Sequence, residues 1–239
     1  MKTWIQRIAR RYGYEIRKAP PQNFQSAPIF DLAVHYLMVT RGESLTLLQV
    51  GANEGRDDDP VRAYIINYPW RGLLIEPQPE VFEKLKENYA GLESRISFEN
   101  VAISNNPEPL KLYRLPAGVT PSDSIVSFDP KIIAKQSGVK PRNLVPISVP
   151  TARLDDIVLK HRLTHVDVLQ LDTEGYDWDV LQTLDLTVQR PLLIRFEHGH
   201  LSPKAIGSMT QYLNQHDYLV YYGGYESDSI ALRKDFILP

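Results

Sequence analysis

The chain has 239 residues, of which 43% are hydrophobic and 23% charged, and its formal net charge is −2. This length and composition are typical of one large globular domain, and the near-neutral charge argues against nucleic-acid binding, which favours a strongly basic domain. The absence of cysteine excludes disulfides, thiolate metal sites and a cysteine nucleophile.

The N-terminal segment, residues 1–18, carries six lysines and arginines against one glutamate. Four apolar residues fall at helical spacing within it: Trp4, Ile5, Ile8 and Tyr12. The segment is either a helix that packs against the domain or a partner, or a basic amphipathic helix that contacts a membrane surface peripherally. It lacks the apolar centre of a secretory signal, and no apolar run approaches the roughly 20 residues that span a bilayer, so we expect a cytoplasmic protein.

Residues 19–28 contain three prolines and predict a linker, and residues 30–42 predict a helix that ends at Gly42. Together with the basic helix, they make up a predicted N-terminal helical extension over residues 1–43.

Strands and helices alternate from residue 44 onwards. Apolar runs of strand length predict strands within residues 44–50, 71–77, 96–104, 109–115, 165–172 and 190–200. The last part of the chain predicts a hairpin, which would give the sheet an antiparallel C-terminal strand. Continuous apolar strands joined by helices indicate an α/β domain, with a mostly parallel sheet and helices on both faces. We predict that this Rossmann-like domain covers residues 44–239.

The segment 116–143 is rich in proline, serine and aspartate and is too long for a plain connection. We therefore predict an insertion that serves as a lid or a binding loop. Its small polar side chains suit a hydroxyl-rich acceptor molecule, and the candidates are Ser122, Asp123 and Ser124. A solvated loop is the alternative for any one of them.

In parallel sheets, ligands bind outside the carboxyl ends of the strands. Four residues that follow predicted strands should therefore line one crevice: Gly51, Glu76, Asp172 and Glu197. The glycines of GANEG (51–55) allow a sharp turn and let a ligand approach the main chain, and Glu76 is positioned to accept hydrogen bonds from ribose hydroxyls. The loop is acidic and has no Gly-Lys-Ser/Thr, which disfavours a pyrophosphate and suits a cationic ligand such as a sulfonium.

Five stretches in order resemble the motifs of the FkbM-type methyltransferases: LLQVGANEG, LLIEPQPEVFEKLKEN, FENVAIS, VDVLQLDTEGYDWDVLQTL and LLIRFEHGH. The resemblance covers about residues 44 to 222. It implies a class I methyltransferase (Rossmann-like) fold, S-adenosyl-L-methionine as cofactor, and O-methylation of a hydroxyl on a small or sugar-containing acceptor in glycan or secondary-metabolite biosynthesis. The chain departs from the family pattern at Gln49, where an acid commonly precedes the glycine, and at Tyr176.

The resemblance also implies which residues bind the cofactor. They lie in the loops after the first strands and after the strand at 165–172: Gly51, Asn53, Gly55, Glu76, Asn100, Val101, Ala102 and Asp172. The glycine loop would face the methionine part and Glu76 the ribose. Residues 100–102 would lie near the adenine, and Asp172 near the amino group or the sulfonium.

A hydroxyl acceptor needs a base that takes its proton. His198 is our first candidate and Asp172 the second, although a strand-end histidine can also serve only to bond a neighbouring loop. Glu174 and His200 are candidates for contact with the acceptor. A magnesium ion is conceivable on oxygen and nitrogen ligands, but we assign no metal site because strand-end acids equally suit a sulfonium. The candidate ligands for such an ion are Asp172, Glu174, Glu197 and His198.

Two other functions stay open at this point. A nucleotide-dependent oxidoreductase on the same fold would favour a third glycine in the first loop and fewer acids there. A Rossmann-like domain without catalysis would serve as an interaction module in a biosynthetic assembly. The sequence gives no indication of an oligomeric state.

Overall fold

The computed structural model describes residues 29–57, 59–116, 126–223 and 228–237. Its helices are α1 (Ile29–Arg41), α2 (Arg62–Asn67), α3 (Pro79–Asn88), α4 (Pro130–Ser137), α5 (Leu154–Lys160), α6 (Asp177–Leu181), α7 (Pro203–Gln215) and α8 (Lys234–Ile237), with a 3-10 turn at Pro141–Asn143. Its strands are β1 (Thr46–Val50), β2 (Arg71–Ile75), β3 (Ile96–Glu99), β4 (Ala102–Ile103), β5 (Leu110–Arg114), β6 (Val126–Ser127), β7 (Val145–Val149), β8 (Thr151–Ala152), β9 (Val168–Leu171), β10 (Leu193–Glu197), β11 (Tyr218–Tyr222) and β12 (Asp228–Arg233).

Seven of these strands form the central sheet, in the order β11-β12-β10-β9-β1-β2-β3. The five strands from β10 to β3 are parallel. In the C-terminal hairpin, β12 pairs antiparallel with β10 and β11 pairs antiparallel with β12, so β12 alone runs opposite to the other six strands. The predicted α/β domain and its antiparallel C-terminal strand are confirmed. Chain order runs outward from β1 in both directions, so the topological switch point lies between β1 and β9, where such sheets bind ligands.

The sheet is buried on both faces, which explains why its strands are continuous apolar runs. Adjacent residues of β1 point to opposite faces. Leu47 belongs to the core cluster beneath α1, α2 and α3, and Leu48 belongs to the cluster that the C-terminal half of the chain covers. Both side chains are fully buried. The two cores hold the strand ends rigidly, and the loops at the carboxyl edge can therefore position functional groups.

The predicted strand at 96–104 is wrong in one respect, because the structure divides it. β3 stays in the central sheet, whereas β4 leaves it and pairs with β8 in a two-stranded parallel sheet. The break coincides with Asn100, whose side-chain amide donates a hydrogen bond to the carbonyl oxygen of Glu76 at 2.8 Å. This bond ties the turn to the end of β2 and directs the chain away from the sheet.

The described part of the predicted insertion contributes one strand, β6, to a second, smaller sheet. β5 pairs with β6 on one side and with β7 on the other, all antiparallel. α4 follows, beginning at Asp129, whose carboxylate accepts a hydrogen bond from the backbone N–H of Lys131, and ending at Gly138 in the left-handed conformation. The three predicted acceptor contacts at residues 122–124 lie outside the described residues.

At the other end of the chain, the predicted basic helix and linker also lie outside the described residues. The next predicted helix is confirmed as α1, and Gly42 follows it with φ of 94°. Over the part of the chain that the structure describes, no helix has both the length and the apolarity to cross a membrane. The proposed boundary between residues 43 and 44 stays a prediction.

Candidate active site

A cavity of about 600 Å³ opens at the carboxyl ends of β1, β2 and β9, next to the switch point. Its size is within the range of small-molecule sites, about 300–1,000 Å³. Among its described lining residues are six acids and a single lysine: Glu54, Asp57, Asp59, Glu76, Asp172, Glu174 and Lys84. The cavity is therefore suited to a ligand that carries positive charge.

The loop after β1 forms the floor of the cavity. Gly51 has φ of 82°, and a Cβ at this position would lie 1.8 Å from the carbonyl oxygen of Asp172. Only glycine permits this close approach of the loops after β1 and β9. The side-chain oxygen of Asn53, which has φ of 50°, is buried without a hydrogen-bond partner among the described residues. Asn53 thus presents a free acceptor in the wall of the cavity.

Glu76 lies beside this loop, at the end of β2, and is only 3% exposed. One carboxylate oxygen accepts a hydrogen bond from the backbone N–H of Asn53 at 3.0 Å, and the other accepts one from that of Gln78 at 2.9 Å. Burial raises the pKa of Glu76 to about 7, although both hydrogen bonds act to lower it. The side chain is thus held in a single orientation in the cavity wall.

The opposite wall is apolar. Val101 and Ala102, both predicted for the adenine, line it together with Ile103, and the small sheet contributes Leu112 and Phe128. Asn100 is not among the described lining residues. Its bond to Glu76 instead positions the turn that carries Val101 and Ala102.

Carboxylates crowd the end of the cavity at β9 and β10. Asp172 lines the cavity, and its pKa is raised to about 7, chiefly by burial and next by the charge of Asp177. Asp177 is fully buried and accepts hydrogen bonds from the backbone N–H groups of Thr173 and Glu197. Burial, followed by the charge of Asp172, raises the pKa of Glu197 to about 9. The guanidinium of Arg195 donates to Asp228 at 2.6 Å, so it pairs with a different acid.

The structure separates the two histidines that follow β10. His198 is 5% exposed, its Nδ1 is 3.0 Å from the hydroxyl of Ser229, and its ring lies 4.2 Å from that of Tyr222. Burial lowers its pKa, and it is not among the described residues that line the cavity. In contrast, Nε2 of His200 lies 3.3 Å from a carboxylate oxygen of Glu174 and 3.3 Å from one of Glu197. The residues around a conceivable metal thus include His200 rather than the predicted His198.

Two lining residues were not predicted as site residues, although one of them, Gln49, was noted as a departure from the family pattern. Gln49 and Gln170 are neighbours on β1 and β9, are 2% and 0% exposed, and each has a buried side-chain oxygen without a partner among the described residues. The sequence feature that could have identified them is a single polar residue inside an otherwise apolar strand. The amide of Gln49 donates to Asp59 at 3.2 Å, so an acid does lie beside the glycine loop, although it follows the loop in the chain instead of preceding the glycine.

A profile of the methyltransferase FkbM domain matches residues 49–220. The chain is also similar to hexuronic acid methyltransferase AglP of Haloferax volcanii, with 23% identity over 174 residues that cover 72% of this chain and 64% of that protein. Among solved structures, it is similar to methyltransferase FkbM from Methylobacillus flagellatus KT, with a TM-score of 0.51 and 14% identity over 82% of this chain and 47% of that one. The chain thus spans less than two thirds of either relative, and the structural likeness shows the class I methyltransferase fold alone.

Proposed function

The chain belongs to the FkbM methyltransferase family, and from this premise we propose that it transfers a methyl group from S-adenosylmethionine to a hydroxyl of a small, sugar-containing acceptor. The observation that carries the proposal is the cavity at the switch point. Its buried carboxylate at Glu76, its apolar wall at Val101 and Ala102 and its acidic end at Asp172 match the three chemically different parts of this cofactor. A protein that bound a pyrophosphate cofactor would place positive charge there instead.

The residues in the cavity fit S-adenosylmethionine part by part. Glu76 would accept hydrogen bonds from the ribose hydroxyls, and the apolar wall would contact the adenine. The free oxygen of Asn53 and one carboxylate oxygen of Asp172 would bind the cationic methionyl end, which leaves the second oxygen of Asp172 to face the acceptor. When bound, the cofactor supplies an electrophilic methyl group on a sulfonium, whose sulfur leaves as a neutral thioether.

We assign the role of base to Asp172 rather than His198. Asp172 lies in the cavity wall, whereas His198 is buried against Tyr222 and bonded to Ser229. Asp172 would hold the acceptor hydroxyl in line with the methyl group that the bound cofactor supplies. The hydroxyl proton passes to the carboxylate of Asp172. Alignment of the acceptor with the methyl group contributes most of the rate, because proximity and orientation can supply about 7–11 kcal/mol.

The small sheet and α4 would recognise the acceptor. The hydroxyl of Ser127 donates to the carbonyl oxygen of Glu174 at 2.8 Å, and the ring of Phe128 lies 4.7 Å from that of Tyr176. These contacts fix β6 beside the cavity, and Ser122, Asp123 and Ser124 precede it in the chain. A sugar acid is the first acceptor class to test, because one relative is named for hexuronic acid methylation. Lys84 would be available for its carboxylate.

Calorimetry with S-adenosylmethionine and, separately, with NADH tests the cofactor assignment. We expect saturable binding of the former only, and its loss in Glu76→Ala. Glu108→Gln is the control, because Glu108 is exposed and remote from the cavity lining. Transfer of a labelled methyl group to hexuronic acid glycosides then tests the acceptor. Absence of S-adenosylmethionine binding in the folded wild-type protein would contradict the proposal and favour a non-catalytic interaction module.

A further inference from the structure

Three potential ligands meet at the carboxyl ends of β9 and β10. Glu174 lies in the loop after β9, Glu197 is the last residue of β10, and His200 follows in the next turn. One donor atom from each lies within 4.8 Å of the other two. Their side chains are 27%, 10% and 20% exposed, so the cluster is largely buried yet open to solvent on the side of the cavity, which Glu174 lines.

The spacing of these atoms fits a shared ion better than direct hydrogen bonds. Nε2 of His200 is 3.3 Å from one oxygen of Glu174 and 3.3 Å from one of Glu197. A charge-assisted N–H···O bond is shorter, about 2.7–2.9 Å. Two donors that bind one cation at about 2.1 Å stand roughly 3.0–3.4 Å apart for bond angles between octahedral and tetrahedral values.

Glu197 gives an independent indication that a ligand is needed. Its side chain is nine-tenths buried, and its Oε2 has no hydrogen-bond partner among the described residues. Its Oε1 faces His200, so the carboxylate is directed into the cluster. A buried carboxylate oxygen without a partner is costly, and Arg195, whose Nη2 is bonded to Asp228, makes no hydrogen bond to it. A cation between Glu174, Glu197 and His200 would remove this cost.

Gln136 of α4 completes the cluster. Its amide nitrogen lies 2.7 Å from Nε2 of His200 and 3.0 Å from Oε2 of Glu174. With the amide in this orientation, its nitrogen donates to Nε2 of His200, which then presents the lone pair that a metal requires. Rotation of the amide by half a turn would direct its oxygen, a ligand of hard cations, to the same place.

We infer that Glu174, Glu197 and His200, with the amide oxygen of Gln136, form a binding site for a divalent cation of the Mn²⁺ or Mg²⁺ class. Carboxylates and a carbonyl oxygen suit these hard ions, and the imidazole favours Mn²⁺ of the two. The ion joins α4 to the ends of β9 and β10. Its role rests on the proposed function: at the edge of the cavity, the ion binds and orients the acceptor hydroxyls next to the methyl group.

Electron paramagnetic resonance of Mn²⁺ titrated into the chelator-treated full chain tests the site without cofactor or acceptor. We expect one equivalent of Mn²⁺ bound per chain, and a Kd raised at least about tenfold in Glu197→Gln and in His200→Ala. His165→Ala is the control, because that side chain is 67% exposed and remote from the cluster. Gln136→Glu adds a negative ligand and should tighten binding about tenfold, a gain that misfolding cannot produce.

The site is overturned if the wild-type protein shows no saturable Mn²⁺ binding. It is also overturned if Glu197→Gln and His200→Ala bind Mn²⁺ with the wild-type Kd. Unchanged affinity in Gln136→Glu would overturn the part assigned to Gln136. If Mn²⁺ binds but S-adenosylmethionine does not, the proposed function fails and the site stands. If methyl transfer proceeds equally with and without bound Mn²⁺, the acceptor-orienting role is refuted.

Discussion

The close approach of two loops at Gly51 gives a sharp test of the structure. In Gly51→Ala, the new methyl group would lie 1.8 Å from the carbonyl oxygen of Asp172, and the residue would have to keep φ of 82°. The left-handed conformation costs about 1–2 kcal/mol for a residue with a Cβ, and relief of the overlap by a shift of the loops costs about 1–3 kcal/mol more. We therefore expect the free energy of unfolding to fall by about 2–5 kcal/mol, as measured by urea denaturation.

Gly91→Ala separates the two contributions. Gly91 has φ of 87°, but a Cβ there meets nothing within 4 Å. Only the cost of the left-handed conformation remains in Gly91→Ala. Part of this cost is offset because alanine restricts the unfolded chain, so we expect the free energy of unfolding to fall by about 1 kcal/mol. We also expect calorimetry to show normal S-adenosylmethionine binding in Gly91→Ala and none in Gly51→Ala, because only the latter displaces Asp172. Equal destabilisation of the two variants would refute the argument from close approach.

Three further predictions concern side chains of the cavity. Burial raises the pKa of Glu76 from 4.5 to about 7, so the unfolded chain loses this proton near pH 4.5 while the folded protein keeps it up to about pH 7. The stabilisation is therefore fully present below pH 4.5 and is lost as the pH rises through 7. Urea denaturation should show that the free energy of unfolding of the wild-type protein is lower at pH 8 than at pH 5, by up to about 3 kcal/mol from this group. In Glu76→Gln the difference between the two pH values should be smaller. In a steady-state assay, Asp172→Asn should lower kcat about 10²–10⁴-fold, whereas His198→Asn should leave kcat near the wild-type value. The reverse result would restore His198 as the base. Ser127→Ala, which removes the bond to the carbonyl of Glu174, should raise KM for the acceptor about fivefold and leave the Kd of S-adenosylmethionine unchanged in calorimetry.

Features that depend on local sequence could be predicted. The strands of the central sheet are buried on both faces, so each is a continuous apolar run, and the residue after each run marks the carboxyl edge. Glu76 and Asp172 were found in this way, and the structure places both in the cavity wall. The break between β3 and β4 could not be found, because the alternating apolar residues of β3 continue into those of β4 with no glycine or proline between them. It depends on the bond from Asn100 to the carbonyl of Glu76, a contact between residues 24 positions apart.

The choice between His198 and His200 shows a second limit of local reasoning. Both follow the same strand, so the strand end alone assigns them equally to the crevice. The hairpin decides between them: Ser229 of β12 binds the ring of His198, and Tyr222 of β11 covers it. His200 is left to face Glu174 and Glu197.

The crowding of acids at one edge of the sheet follows from its topology. Parallel strands bring their last residues together, so acids that are far apart in the chain become neighbours around the switch point. Arg195 is bonded to Asp228 and leaves Asp172 and Glu197 without a full counter-charge. Such carboxylates must bind protons or cations, and two different cations fit two different places. Asp172 lines the cavity, where a sulfonium would be bound, while Glu197 faces His200 beside the cavity-lining Glu174, where a metal ion would be bound. A single excess of negative charge thereby accounts for both the proposed cofactor and the inferred metal site.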